Sequence, residues 1–291
     1  MPVLNKGVWT QDEKLDHTDV IPTLTHPEAE RYHLYISYAC PYAHRVNLVA
    51  HYLGLTEAIS ISSVDPKNEN GWAFSAEYPD PLNGADFLWQ IYTKHQVDFS
   101  GRAVVPAFWD KQTQKLVSNT SAELALDLAT NWLPLAKNPV ELVPAALRDE
   151  IMAMTEWLNT NVTGKVYTVG FAKSQCCYDK AQKELFDTFT ELDARLASQS
   201  YLFGEQITLA DFFLFPTLIR FESVYAMLFK CNAQPLSDFS NLYRYMLDLY
   251  NIESIRATVD VSYTKLNYFY SFAGQNPSRI VPAGPQLAWV K

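Results

Sequence analysis

The stretch "YISYACPYAHRVNLVAHYLGL", residues 35–55, places one cysteine, Cys40, between an apolar run and an amphipathic run. A cysteine at the first turn of a helix faces backbone N–H groups that lack an intrahelical partner, and the positive end of the helix dipole. Both favour thiolate over thiol, and cysteines so placed titrate at about 3.5–7.5 instead of about 8.5. Pro41, at the first helical position, has no N–H to leave unpaired. His44 and Arg45, one turn on, are placed to add positive potential. The competing reading is a buried structural cysteine, because cysteine is among the most buried residue types. The motif reads Cys-x-x-Ala, so Ala43 stands where a second, resolving cysteine would be. A lone thiolate that exchanges disulfides takes its second thiol from solution or from another protein. The pattern therefore implies a bound low-molecular-weight thiol.

Such a thiol needs a dock. In "VVP", residues 104–106, a cis Val105–Pro106 bond would present the backbone N–H and C=O of Val105 to an extended ligand. A trans bond, the commoner state, would make this an ordinary strand entrance. "NTS", residues 119–121, opens a helix. Ser121 and the free N–H groups there suit a carboxylate, or serve only as a cap. The other cysteines are the adjacent Cys176 and Cys177 and the solitary Cys231. None has the paired spacing of a zinc site and no histidine pair lies beside them, so no metal is expected. Four cysteines in 291 residues do not make a disulfide framework.

The elements that must position these groups follow from periodicity. Residues 31–38, "RYHLYISY", read as a strand, and from Pro41 the apolar Val46, Val49, Ala50 and Leu53 share one helical face, with Gly54 as C-cap. A second strand spans 58–64; a long Gly-, Pro- and Asn-rich loop follows. Next come a strand after Pro106, its hairpin partner "KLVSN", and the helix "TSAELALDLATNW". Three prolines mark a linker, beyond which only helical periodicity remains. In "ITLADFF", Thr208 and Asp211 have capping-box spacing, with Ile207 and Phe212 as a hydrophobic staple. This divides the chain into an extended polar arm (1–30), a small mixed α/β domain (31–132), a linker (133–146), an all-α domain (147–262) and an aromatic tail (263–291). The content is globular, at 48% hydrophobic and 19% charged residues, with 17 Tyr, 16 Phe and 7 Trp to suit flat ligands or a core. A formal charge of −9 repels nucleic acid and anionic membranes, so neither is expected as a partner. No signal-peptide-length apolar stretch opens the chain, and "ITLADFFLFPTLI" is broken by Asp211 and Pro216, so a cytoplasmic protein is expected.

At these residues the chain resembles the glutathione transferase architecture: a thioredoxin-like α/β N-terminal domain followed by an all-α C-terminal domain. Within it, the chain is similar to the glutathionyl-hydroquinone reductases, the xi class. The resemblance runs through "GVW", "RYHLYISYACPYAHR", "NGWAF", "SGRAVVPAFWDK", "VSNTSAEL", "VYTVGFAKSQCCYDKA", "YLFGEQITLADFFLFPTLIRFESVY", "FKCN", "LYNI" and "NPSRIVPAGP", in order. It implies a glutathione-dependent reductase in which Cys40 attacks a glutathionyl sulfur and is regenerated by a second glutathione. It implies glutathione contacts at Trp72, Arg102, Val105, Thr120 and Ser121: Arg102 to the glycyl carboxylate, Val105 to the cysteinyl backbone, Ser121 to the γ-glutamyl carboxylate. Tyr167 and Tyr268 match tyrosines that hydrogen-bond the hydroquinone oxygens, and the family implies a homodimer.

Three departures stand out. The family has Trp after Cys-Pro, where this chain has Tyr42; it has Asn-Glu-Ser, where this chain has Thr120 in place of the glutamate that pairs with the γ-glutamyl ammonium. The tail reads "NYFYSF" where Arg and His usually follow the Tyr-Phe pair. The missing glutamate implies weakened glutathione binding or use of another low-molecular-weight thiol, and two alternatives stay open: a general thioltransferase or dehydroascorbate reductase, which could use such a thiol, and a non-catalytic binding protein of the same fold.

Overall fold

The computed structural model describes residues 2–11, 14–15 and 17–290. Residues 1, 12, 13 and 16 of the arm and residue 291 of the tail lie outside the described residues. The chain forms two compact units, Met1–Pro139 and Val140–Lys291.

The first unit opens with a hairpin, β1 (Val3–Asn5) against β2 (Val8–Thr10). Lys6 and Gly7 between them both have positive φ, 48° and 78°, the backbone of a tight two-residue hairpin turn. The arm is thus not wholly extended: its strands are three residues long, too short for alternation to register. A four-stranded sheet follows, in the order β4-β3-β5-β6, from β3 (Tyr32–Ile36), β4 (Ile59–Ser63), β5 (Ala107–Asp110) and β6 (Lys115–Ser118). β3 runs parallel to β4, as α1 (Pro41–Tyr52) carries the chain across between them, and antiparallel to β5. Every residue of β3 is buried, with Leu34 opposite Ile61 on one side and Phe108 on the other. Gly54 ends the α1 segment in the left-handed region, φ 67°.

The loop after β4 contains a helix that composition hides, α2 (Leu88–His95). Its start is local chemistry: the Gln90 Oε1 accepts the N–H of Asp86 at 2.8 Å and of Phe87 at 2.9 Å. Asp80 organises the loop before it, accepting the Tyr35 hydroxyl at 2.8 Å and the N–H groups of Leu82, Asn83 and Ala85. The unit's last long helix is α3 (Ser121–Thr130), which packs against α1.

Among the described residues, the regular elements of the second unit are helices, apart from an isolated β-bridge between Tyr201 and Gly204. α4 (Arg148–Leu158) runs through a wide turn at Asn159–Thr163 into α5 (Gly164–Gly170). α6 (Gln175–Leu196) is capped by Ser174, whose Oγ accepts the Cys177 N–H at 3.3 Å. α7 (Asp211–Arg220) leads through a second wide turn, Phe221–Tyr225, into α8 (Ala226–Leu228). α9 (Ser240–Tyr250), α10 (Glu253–Arg256) and α11 (Val261–Ser271) complete it. The aromatic tail thus begins as a helix, α11, before its Pro- and Gly-containing end.

Only half of the expected Thr208–Asp211 box forms. The carboxylate accepts the Thr208 N–H at 2.7 Å, but the Thr208 hydroxyl donates to that carboxylate at 3.0 Å instead of accepting a backbone N–H. The reason is that Asp211 is fully buried and gathers further donors, the Leu202 N–H at 3.0 Å and the Tyr245 hydroxyl at 2.9 Å. These hydrogen bonds satisfy a buried carboxyl that burial alone pushes toward its protonated form. Among the described residues, no helix is long and apolar enough to cross a membrane.

Candidate active site

Cys40 is the N-cap of α1, with extended backbone at φ −76° and ψ 117°. Its Sγ accepts the Ala43 N–H at 3.5 Å and lies 3.7 Å from the Val105 carbonyl oxygen, to which the protonated thiol donates. The half-buried sulfur thus meets a helix-terminal N–H on one side and a backbone acceptor on the other. Of the other cysteines, Cys231 is buried, its thiol pushed up by burial, while Cys176 and Cys177 are exposed. His44 and Arg45 are both enclosed in the fold, 2% and 1% exposed. The Arg45 guanidinium lies over the Tyr42 ring, 4.8 Å from its centroid, so part of that charge is spent on the residue that follows Cys40-Pro41.

The Val105–Pro106 bond is cis. The segment before it is fixed by the buried Tyr92, whose hydroxyl donates to the Val104 carbonyl at 2.8 Å and accepts the Val104 N–H at 3.3 Å. Thr120 is the N-cap of α3 and makes no side-chain capping bond; its N–H donates to the Ser118 Oγ at 3.4 Å. Ser121 is the first helical residue, half-buried. One turn on, the Glu123 carboxylate accepts the Thr23 hydroxyl at 3.0 Å. Trp72 is half-buried, its carbonyl accepting the Leu88 N–H at 2.8 Å, and Arg102 is exposed with no ion pair among the described residues. Cys40, Val105, Thr120, Ser121, Trp72 and Arg102 all belong to the first unit.

Tyr167 and Tyr268 belong to the second unit, which brings them together: their hydroxyl oxygens are 2.6 Å apart. A third hydroxyl, from Tyr225, lies 3.0 Å from that of Tyr268. Each tyrosine stacks on the phenylalanine four residues later in its own chain segment: Tyr167 on Phe171, Tyr225 on Phe229 and Tyr268 on Phe272. Phe229 presses against α5, where a Cβ at Gly170 would come within 2.3 Å of its ring. Tyr268 is 2% exposed, and burial holds its hydroxyl well above the usual phenol range, with Tyr225 adding to the rise. It is therefore a neutral hydrogen-bonding group throughout the working pH range. No group of three or more His, Cys, Asp or Glu among the described residues is placed to hold a metal ion.

Residues 39–131 match the glutathione S-transferase N-terminal domain and residues 175–247 the C-terminal domain. Glutathionyl-hydroquinone reductase YqjG of Escherichia coli K12 is 39% identical over 263 residues, 89% of this chain and 80% of its own length. The chain belongs to the glutathionyl-hydroquinone reductases, the xi-class glutathione transferases. PcpF of Sphingobium chlorophenolicum, named a glutathionyl-hydroquinone reductase, is 38% identical over 89% of this chain and 84% of its own. The xi-class transferase of Natrialba magadii superposes with a TM-score of 0.94 at 35% identity, covering 99% of this chain and 94% of its own. The glutathione-bound structure of YqjG superposes with a TM-score of 0.91 at 36% identity, over 99% and 96%.

Two residues that contact these groups escape the sequence reading. Tyr92 acts through a backbone clamp that no motif announces. Tyr225 has a visible signature, because "YTVGF", "YAMLF" and "YFYSF" are three Tyr-x-x-x-Phe segments, the helical spacing that stacks one ring on the next.

Proposed function

We propose that the chain is a glutathione-dependent reductase that removes glutathione from glutathionyl-hydroquinones through a mixed disulfide at Cys40. The Cys40 thiolate attacks the glutathionyl sulfur. A sulfur–sulfur bond forms, the carbon–sulfur bond breaks, and its electron pair goes to the ring carbon, which takes up a proton as the hydroquinone leaves. A second glutathione thiolate then attacks the glutathionyl sulfur held on Cys40, which releases glutathione disulfide and restores the Cys40 thiolate. The observation that carries this reading is the Cys40 sulfur itself, between the Ala43 N–H and the Val105 carbonyl with no second cysteine in its turn.

On this reading residues 31–132 form the thiol-binding domain. Arg102 and Trp72 receive the glycyl end, the Val105 backbone the cysteinyl residue, and Thr120 and Ser121 the γ-glutamyl end. Residues 147–262 form the helical domain, joined by residues 133–146. Tyr167, with Tyr268 from the 263–291 segment, holds the hydroquinone oxygens, and Tyr268 in its neutral form hydrogen-bonds an oxygen without competing for its proton. We also infer a cytoplasmic homodimer, on family membership.

Cys40→Ser in a Cys176→Ser/Cys177→Ser background tests the core of this. The parent should take up one glutathionyl adduct by mass and turn over a glutathionyl-hydroquinone; the Cys40→Ser protein should do neither while keeping its fold. Full turnover in its absence ends the proposal.

A further inference from the structure

We propose that the N-terminal hairpin, Val3–Thr10, together with Asp19 acts as a positioning strap for the thiol site, holding from outside the two loops that carry Trp72 and Arg102. This rests on the functional reading above.

The strap grips the chain immediately beside each residue. Before Arg102 the backbone is paired step by step with the arm. The Gly7 N–H donates to the Phe99 carbonyl at 2.9 Å, and the Asp19 N–H to the Ser100 carbonyl at 2.7 Å. The Ser100 N–H donates to the Asp19 carboxylate at 2.6 Å. Leu4 and Gly101 exchange both backbone bonds, at 2.8 and 2.9 Å. The next residue is the exposed Arg102. Gly7 has to be a glycine for this docking: a Cβ there would lie 2.0 Å from the Val97 carbonyl oxygen.

Before Trp72 the contact is a ring. Trp9 of β2 lies so close over Gly71 that a Cβ at Gly71 would be 2.6 Å from its Cζ2. Trp9 also stacks on Trp89 of α2, with centroids 5.9 Å apart and planes 15° apart. Trp89 follows Leu88, whose N–H is bonded to the Trp72 carbonyl at 2.8 Å. One indole thus braces both the residue before Trp72 and the helix that its carbonyl holds. Arg102 has no ion pair among the described residues to fix it, so its aim depends on the backbone that the arm secures. Misaiming a charged side chain that would meet a carboxylate forfeits a charge-assisted hydrogen bond, which costs about tenfold or more in affinity.

Trp9→Ala and Asp19→Ala test the two grips separately, and Trp9→Phe restores a flat ring. Glutathione binding is read by calorimetry on a Cys40→Ser background, with turnover measured on the Cys40 protein. Each alanine variant should raise the glutathione Kd about tenfold, with kcat at saturating glutathione within about twofold. The pH profile of Cys40 alkylation should stay unchanged, and Trp9→Phe should recover most of the affinity. An unchanged Kd in either folded alanine variant overturns the strap. So does a joint change in Kd, kcat and alkylation, the mark of general loosening. If Trp9→Ala does not fold, Asp19→Ala decides by the same criteria. Should the Cys40 protein leave glutathionyl-hydroquinones untouched while these Kd shifts appear, the strap stands and the reaction assignment falls.

Discussion

Thr120→Glu should strengthen glutathione binding. On the proposed docking, Thr120 stands where the resemblance implies a glutamate that would pair with the γ-glutamyl ammonium. Its own side chain makes no capping bond, so the substitution removes no cap. The N–H donated to Ser118 belongs to the backbone and survives. A charge-assisted hydrogen bond contributes about 1.5–3 kcal/mol. Against it stands Glu123, three residues on and exposed, a like charge that costs about 0.2–0.5 kcal/mol. The net gain is about 1–2.8 kcal/mol, or about 5- to 110-fold in Kd. Titration calorimetry on the Cys40→Ser background reads this without covalent chemistry. A glutathione analogue lacking the amino group should bind both proteins alike. If the glutathione Kd is unchanged or weaker in Thr120→Glu, or if the analogue gains as much as glutathione, the γ-glutamyl end does not lie at Thr120 and the docking scheme fails.

Tyr268→Phe removes the hydroxyl between those of Tyr167 and Tyr225. The KM for a glutathionyl-hydroquinone should rise about tenfold while the glutathione Kd stays put; equal values in both proteins would remove Tyr268 from the substrate site. His33 is buried, with its ring nitrogens 2.8 Å from the Ser60 and Ser62 hydroxyls, and burial pushes its pKa from 6.5 down to about 4. Between those values the unfolded chain binds a proton that the native state refuses. The stability contributed by neutral His33 is therefore complete above pH 6.5 and is lost as pH falls toward 4, by about 3 kcal/mol in all. Urea unfolding across that range should show a shallower loss in His33→Gln than in the parent, and identical slopes would refute the assignment.

Much of the first unit is legible in the sequence because its signals are local. The strand at 31–38, the change of period at Pro41 and the glycine at 54 each bias backbone geometry where they stand, and β3, α1 and the left-handed Gly54 follow. α2 is not legible: eight residues are few for a helical period, and a Gly- and Pro-rich loop precedes it. The Thr208–Asp211 spacing announces a cap but not its form, since the donors from Leu202 and Tyr245 come from elsewhere in the chain. The monothiol at Cys40 and its acceptor at Val105 are 65 residues apart, and the cis Val105–Pro106 bond that sequence leaves open is there. The grip of Asp19 on Ser100 and of Trp9 on Gly71 is tertiary throughout, and no spacing in the arm hints at it.

The three Tyr-x-x-x-Phe segments come from separate stretches of the second unit, while the sulfur and its surroundings come from the first. On the proposed function, choice of phenol and choice of thiol are thereby encoded in different parts of the polypeptide. If the proposed roles hold, a lineage can retune which aromatic compound it clears by altering one ring among these three segments, leaving the thiol chemistry of the first unit untouched.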